Sequence, residues 1–224
     1  MFKQLLSVFL ESRCQFCPRT NANVLGISLC EHCYQKLSSH QLSTSDRHKL
    51  YQTQSIYAWG RYDGQLKRAI ARMKYQNQPE IGSLLGAELG KAWIASGLLK
   101  RSPKVAVVPI PMHQQKQQER GFNQAAIIAH EFCRVTGYYS NTRTLVRIKA
   151  TEAMFNLGST LARAKNLQGA FKIDNKLPQH PVLLIDDIHT TGTTVKEAVR
   201  VLQDRGVKVI GVAVVAKAGW DIEH

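Results

Sequence analysis

The chain has 224 residues, of which 44% are apolar and 21% are charged, and this balance is typical of a folded globular protein rather than a disordered one. Lys and Arg number 30 against 16 Asp and Glu, so the net charge is +14. That charge favours nucleic acids or phosphorylated small molecules as partners, although a basic surface that only confers solubility has the same composition. No apolar run approaches the roughly twenty residues that a membrane span needs, and residues 1–10 lack the features of a signal peptide, so we expect a cytoplasmic protein.

Four of the five cysteines lie in residues 1–40, as the pairs Cys14-x-x-Cys17 and Cys30-x-x-Cys33, which are separated by twelve residues. Four soft thiolates that converge on one point suit tetrahedral Zn²⁺. The alternatives are disulfides, which are rare in the cytoplasm, a redox pair, which needs no second pair, and an iron–sulfur cluster. Because four protein ligands leave no open position for water, we predict a structural zinc module over residues 1–40.

The remainder of the chain divides into a polar segment and a patterned one. Residues 41–54 are polar and are predicted to form a linker or an extended crossing segment. Over residues 55–224, strand and helix patterns alternate, which predicts an α/β domain with a parallel sheet. The predicted strands are Ile56–Tyr62, Val105–Val108, Val182–Ile188 and Val207–Val215. The predicted helices include Ile81–Ala95, Asn123–Thr136 and one marked by Val195, Ala198, Val199 and Leu202.

A further helix is indicated by Leu66, Ile70 and Met73, which share one face. Its other faces carry four basic residues, Lys67, Arg68, Arg72 and Lys74. Such a surface can track the backbone of single-stranded nucleic acid, and it is equally the pattern of an ordinary exposed helix face.

The strand at 182–188 leads into a segment suited to binding a phosphorylated ligand. It contains Asp186, Asp187, Thr190, Thr191, Gly192, Thr193 and Thr194, and a helix follows. Ligands of open α/β sheets bind at the carboxyl ends of strands, and a glycine lets the backbone approach an anion at a helix N-terminus. The adjacent carboxylates can accept hydrogen bonds from ribose hydroxyls, while Mg²⁺ links them to pyrophosphate oxygens. A threonine-rich helix cap is the alternative, but a cap needs only one such residue.

This segment resembles the signature of type I phosphoribosyltransferases, which bind 5-phosphoribosyl 1-pyrophosphate (PRPP). The whole chain further resembles the ComF/GntX family, whose members join a four-cysteine module to such a domain. The resemblance is carried by Tyr62-Asp63-Gly64, Lys74-Tyr75, Val108-Pro109-Ile110-Pro111, Arg120-Gly121-Phe122-Asn123-Gln124 and Gly169-Ala170-Phe171. One departure is Met154, which stands where family members usually carry glutamine, and a thioether cannot replace the hydrogen bonds of an amide.

The resemblance implies a type I phosphoribosyltransferase fold, PRPP and Mg²⁺ as ligands, and a role in natural transformation with imported DNA. Single-stranded DNA and other DNA-uptake proteins are then the expected partners. Arg120, Arg147 and Lys149 become candidates for contacting pyrophosphate, whereas each alone reads as a solvated charge. Two other functions remain open from the residues themselves: nucleobase salvage with PRPP, and single-stranded DNA binding by the cysteine module and the basic surface. Phosphoribosyl transfer needs no nucleophilic side chain, and the same loop can also serve sensing, so the residues leave open whether the chain is an enzyme.

Overall fold

The computed structural model describes residues 13–19, 27–51, 54–101, 104–149, 167–174 and 177–219. Among these residues the helices are α1 Glu31–Ser38, α2 Gly64–Tyr75, α3 Pro79–Ala95, α4 Leu98–Arg101, α5 Gln114–Arg120, α6 Gln124–Thr136 and α7 Thr193–Gln203. The strands in the same residues are β1 His48–Tyr51, β2 Gln54–Arg61, β3 Ala106–Pro109, β4 Tyr139–Ser140, β5 Leu145–Arg147, β6 Phe171–Ile173, β7 Val182–His189 and β8 Val209–Lys217.

In the described part of the chain, the main sheet has six strands in the order β1-β2-β8-β7-β3-β4, and a second sheet pairs β5 with β6. All neighbours in the main sheet are parallel except β1, which runs antiparallel to β2. The predicted parallel α/β architecture is therefore confirmed. Strand β7 lies between β8 and β3, so its carboxyl end lies in the middle of the edge at which ligands of such sheets bind.

Alternate residues of the central strands face two different hydrophobic layers. On β7, Leu183 and Ile185 pack with α2, α3 and α6, whereas Val182 and Leu184 pack with α7 and the β5–β6 sheet. Helices on both faces explain why these strands are apolar throughout rather than alternating with polar residues. The predicted helices and strands of this region are confirmed, with ends that differ by no more than two residues.

The segment 41–54 was predicted to form a linker or an extended crossing segment, and its described residues contain strand β1 and follow the edge of the sheet. His48–Tyr51 pairs with β2, and Gln41 forms an isolated antiparallel bridge with Gly60. Among the described residues β1 pairs with a strand on one side only, so its side chains can be polar. A polar composition does not indicate a strand, and the sequence pattern therefore did not predict β1. The division of the chain into domains at residues 40 and 54 stays a prediction.

The cysteine module packs against the main domain. Leu29 and Leu37 are both 1% exposed and join the hydrophobic layer that covers α2 and α3. The guanidinium of Arg72 lies 4.9 Å from the centre of the Phe16 ring, and the Gln15 amide donates a hydrogen bond to Glu80. The module thus supports the side of α2 that faces away from the sheet.

Helices α3 and α6 approach each other closely along a stripe of three glycines on α3. Gly82, Gly86 and Gly90 are four residues apart, so they share one helix face. A Cβ atom at Gly86 would lie 2.5 Å from the carbonyl oxygen of Ile128, and one at Gly90 would lie 2.9 Å from Cβ of Val135. Glycine is therefore required at the closest point of this crossing, although it weakens an isolated helix. No helix in the described residues is long and apolar enough to cross a membrane.

Candidate functional site

The candidate site lies at the carboxyl end of β7, where the strand passes through a short loop into α7. Gly192 has a φ of 72°, which places it in the left-handed region that glycine adopts without strain, and α7 begins at the next residue. The hydroxyls of Thr191 and Thr193 lie 2.9 Å apart across the turn. The first N–H groups of a helix have no partner within the helix and carry its positive partial charge, so this loop is suited to a phosphate.

Lys217, at the end of the neighbouring strand β8, supports this loop from below. Its ammonium donates to the carbonyl oxygens of Thr190 at 3.2 Å and Ala218 at 3.1 Å. The side chain is 8% exposed, and this burial lowers the pKa of Lys217. Burial also lowers the pKa of the adjacent His189 to about 4, with a further contribution from the charge of Lys217. At neutral pH His189 is therefore uncharged, and it lies beside Lys217 at the end of the strand that leads into the loop.

Lys74, near the end of α2, forms a buried ion pair with the second acidic residue. Its Nζ lies 2.8 Å from Oδ2 of Asp187, and the two side chains are 18% and 5% exposed. Burial lowers the pKa of Lys74, but the carboxylates of Asp187 and Asp186 outweigh that effect and raise it. The ammonium is thus held charged at the floor of the site, next to the residues expected to face a ribose.

The carboxyl group of Asp186 lies next to the ion pair of Lys74 and Asp187, and its pKa is strongly shifted. Burial and the neighbouring charge of Asp187 raise the pKa of Asp186 to about 7, against the opposing effects of Lys74, the Asp187 amide and Arg147. The Asp187 N–H donates to Oδ1 of Asp186 at 2.8 Å, which fixes the carboxyl orientation. A further cation bound beside these two carboxyls and the single close ammonium would stabilise the ionised form of both carboxyls.

These groups line one cleft of about 320 Å³ above the sheet edge. Its walls include the loop of residues 190–194, which we call the phosphate loop. They also include Tyr62, Lys74, Tyr75, Lys116, Arg120, Asn123, Arg147, Asp186 and Asp187. The cleft therefore brings together an acidic floor, an amide-rich loop and several cations. A ligand that carries both phosphate groups and hydroxyls matches this lining.

The predicted pyrophosphate contacts are only partly brought together. Arg120 and Arg147 line the cleft, and Nη1 of Arg120 donates to Oε1 of Gln124 at 2.7 Å. Burial lowers the pKa of Arg147, while the charge of Asp186 opposes that effect. Lys149 is exposed and donates to the carbonyl oxygen of Gln168 at 2.8 Å, outside the described walls of the cleft. Met154 lies outside the described residues.

The predicted basic surface of α2 is smaller than the sequence pattern suggests. Lys67 and Arg68 are exposed, and Arg72 is half-buried against Phe16. Lys74 does not belong to this surface, because its side chain turns into the cleft and pairs with Asp187. A helical wheel cannot distinguish these cases, since the partner of Lys74 lies more than one hundred residues further along the chain.

Sequence patterns also missed contributors to the cleft. The side chain of Asn123 accepts from the Ala125 amide at 3.0 Å and donates to the Ile110 carbonyl at 3.1 Å, which joins the start of α6 to the segment after β3. Lys116 and Tyr62 also line the cleft. The only available signal for these residues was their place in or near the family motifs, which carry no roles by themselves.

The four predicted cysteine ligands come together in the structure. Their sulfur atoms all lie within 4.8 Å of one another, and those of Cys17 and Cys30 are 3.6 Å apart. Zn–S bonds of about 2.3 Å in a tetrahedron separate sulfur atoms by roughly 3.8 Å, so the cluster fits a zinc ion. Burial alone would raise the pKa of Cys30, but the Cys33 amide and the neighbouring thiols lower it to about 6. His32 is exposed and is not part of the cluster.

Comparisons with known proteins agree with this geometry. The family model of the phosphoribosyl transferase domain matches residues 119–223. The chain is 29% identical over 231 residues to competence protein F of Haemophilus influenzae, with 94% of this chain and 99% of that protein covered. It is 25% identical to DNA utilization protein YhgH of Salmonella typhimurium, with 91% and 84% covered. It is 23% identical to competence protein ComFC of Bacillus subtilis, with 88% and 80% covered.

The cleft is defined by contacts between distant residues, whereas the similarities are defined by residue order, and both point to the same domain. The matched domain contains β7, the phosphate loop and α7, and the similarity to the competence proteins extends into the cysteine module. The chain therefore resembles the ComF competence proteins over most of its length, and it combines a phosphoribosyltransferase-type α/β domain with an N-terminal four-cysteine module.

Proposed function

We propose that this protein binds PRPP with Mg²⁺ in the cleft at the carboxyl end of β7, as a phosphoribosyltransferase-like protein that acts in natural transformation. The observation that carries the proposal is the juxtaposition of the Asp186–Asp187 pair with a threonine-rich loop that opens a helix. The loop offers amides and hydroxyls to a phosphate, and the carboxylates offer acceptors to ribose hydroxyls. A ligand must present both groups to use the whole site.

The cations of the cleft suit the pyrophosphate end of that ligand. Lys74 is fixed beside Asp187, and Arg120 and Arg147 line other parts of the wall. When bound with PRPP, Mg²⁺ would neutralise oxygens of the pyrophosphate, and the carboxyls of Asp186 and Asp187 are oxygen donors of the kind that it prefers. Transfer from ribose C1 needs oriented partners and neutralised negative charge, which are the properties that these side chains supply.

A role in transformation is supported by the relatives, which are named as competence and DNA utilization proteins. These names favour DNA handling over nucleobase salvage as the process in which the PRPP site works. The net charge of +14 suits a single-stranded DNA partner. Other DNA-uptake proteins would deliver the strand to this protein or receive the strand from it. Release of pyrophosphate on addition of free nucleobases would support salvage, whereas release that requires single-stranded DNA would support the proposed role. The cytoplasmic location expected from the sequence remains part of the proposal.

PRPP with Mg²⁺ is expected to raise the melting temperature of the metal-loaded protein, because a ligand that binds only the native state stabilises it. Ribose 5-phosphate should give a smaller shift, since it keeps the loop contacts and lacks pyrophosphate. Thr191→Val removes one hydroxyl from the loop and should weaken PRPP binding about ten- to a hundred-fold. Isothermal titration calorimetry and thermal melts measure both effects.

The matched control is Asp204→Asn at the opposite end of α7, where the carboxylate is 58% exposed and pairs with Arg200. This variant should bind PRPP like the wild type, since an eleven-residue helix places it about 16 Å from the loop. A metal-loaded protein that neither binds PRPP nor gains thermal stability with Mg²⁺ present would show that the cleft serves another ligand.

We further propose that Cys14, Cys17, Cys30 and Cys33 bind a structural zinc ion. The sulfur separations fit a tetrahedral site, and two backbone amides donate to Sγ of Cys14 at 3.4 Å, as expected around a thiolate ligand. A bound ion would tie the loop at residues 14–17 to the start of α1, and so fix the module against α2. Such an ion supplies folding free energy to a segment whose own core is small.

Purified protein prepared without chelator is expected to contain about one Zn²⁺ per chain. Cys33→Ser should lose the metal and lower the thermal stability of the module, because a buried ligand is removed from a closed site. Cys133→Ser is the control: this thiol is buried on α6 outside the cluster, so the metal content should not change. Elemental analysis measures both, and a metal-free wild type in reducing buffer would contradict the assignment.

A further inference from the structure

One face of α2 combines positive charge with an exposed aromatic ring. Arg68, Arg72 and Tyr75 are spaced at i, i+4 and i+7, so they lie along the same side of the helix over about 10 Å. Arg68 is exposed, Arg72 is half-buried, and Tyr75 is 76% exposed at the last residue of the helix. Arg72, in the middle of this row, lies against Phe16 of the cysteine module, and Tyr75, at its end, forms part of the cleft wall.

The ring of Tyr75 is backed by a cation on one side. The guanidinium of Arg120 lies 5.7 Å from the ring centre, and its hydrogen bond to Gln124 on α6 holds it in place. Because one face of the ring meets Arg120 and the side chain is still 76% exposed, the opposite face is open to solvent. An isolated exposed tyrosine is unremarkable, but an open ring that is supported by arginine inside a phosphate-binding cleft is suited to a flat aromatic ligand.

We propose that Tyr75 and Arg120 form a stacking platform for an unpaired nucleobase of a single-stranded nucleic acid, with Arg68 and Arg72 contacting its phosphates. The inference rests on the proposed function and adds to it the surface on which the acceptor strand lies. Base–aromatic stacking and backbone charge are the two contributions that let proteins bind single strands with little sequence preference. A duplex cannot use the platform in the same way, because its bases already stack on one another.

The decisive measurement is the affinity for a fluorescently labelled single-stranded oligonucleotide at low salt. Tyr75→Ala should weaken binding about five- to a hundred-fold, whereas Tyr75→Phe, which keeps the ring, should bind like the wild type. Tyr139→Ala is the matched control, since Tyr139 is 65% exposed on the edge strand β4 and lies outside the described lining of the cleft. Its affinity for the strand should be unchanged.

A Tyr75→Trp variant reports on stacking directly. Its fluorescence should be quenched by single-stranded oligonucleotides and much less by a duplex of the same sequence. Quenching by free nucleoside 5′-monophosphates at lower concentrations than by the oligonucleotide would show that the platform takes a free nucleotide rather than a strand, and this result would also overturn the inference. Equal affinity of wild type and Tyr75→Ala, equal losses in Tyr75→Ala and Tyr139→Ala, or equal quenching by the duplex would each overturn the inference.

Failure of the platform and failure of the PRPP site are distinguishable in the same samples. The PRPP-induced rise in melting temperature is measured on the wild type without DNA, so it reports on PRPP binding in the cleft and does not require a bound strand. A wild type that gains stability with PRPP and does not bind single strands at low salt would refute the platform and leave the proposed PRPP site standing.

Discussion

Lys74→Met is expected to lower the free energy of unfolding by about 3–5 kcal/mol, as found when one partner of a buried ion pair is removed. The carboxylate of Asp187 is 5% exposed and meets the Lys74 ammonium at 2.8 Å, so methionine would leave a buried negative charge beside a second carboxyl group. The same variant should weaken PRPP binding, because it removes a cation from the cleft. Urea unfolding followed by circular dichroism measures the loss of stability.

A double-mutant cycle separates the ion pair from other effects of the substitution. Lys74→Met combined with Asp187→Asn removes both charges and should be more stable than the sum of the single losses implies. Lys67→Met, at an exposed lysine on the same helix whose ammonium lies 5.8 Å from the centre of the Tyr62 ring, should change stability by less than about 1 kcal/mol. Additive losses in the double mutant would show that the pair does not stabilise the folded protein.

Asp186→Asn is expected to stabilise the ligand-free protein at alkaline pH. The unfolded carboxyl ionises near its ordinary value of 3.8, whereas burial and the charge of Asp187 raise the pKa of Asp186 in the folded state to about 7. As pH rises between these values, the unfolded state loses the proton first, so the folded state becomes progressively less favourable. The ionised carboxyl therefore destabilises the folded state at alkaline pH, and an uncharged amide at this position avoids that cost.

Melting temperatures of wild type and variant between pH 4 and pH 9, in buffer without Mg²⁺, test this expectation. The two proteins should melt together near pH 4 and diverge in favour of the variant as the pH rises. The exposed Asp204→Asn serves as the control and should show no divergence of that sign. A difference that is constant across the range, or that favours the wild type at high pH, would contradict the raised pKa of Asp186.

The parts of the site that are contiguous in the chain could be predicted from the sequence. The strand β7, the acidic pair and the glycine at the start of α7 occupy consecutive positions, so spacing alone indicated a ligand site at the end of a strand. The same holds for the two cysteine pairs, whose spacing brings the thiols together once each pair forms a turn. Both features consist of residues that are close together in the chain, so the spacing of those residues was enough to predict them.

Features that depend on contacts between distant segments could not be predicted in this way. Lys74 was assigned to an outer basic face, because nothing near it in the chain shows that Asp187 comes within 2.8 Å. The edge strand β1 was hidden because an edge requires no apolar alternation. Tyr75 and Arg120 similarly meet only after the end of α2 has been placed beside α6.

The glycine stripe on α3 has a consequence for how relatives of this chain can diverge. At Gly90 the nearest atoms are Cβ and Cγ1 of Val135, at 2.9 and 3.0 Å, so a residue with a Cβ atom is accommodated only if position 135 loses its own Cβ and becomes glycine. At Gly86 the nearest atom is the backbone oxygen of Ile128, which every amino acid carries, so no single change on α6 relieves the clash. We therefore expect drift at Gly90 to be coupled to one partner position, whereas relatives without Gly86 must have altered the crossing of the two helices as a whole.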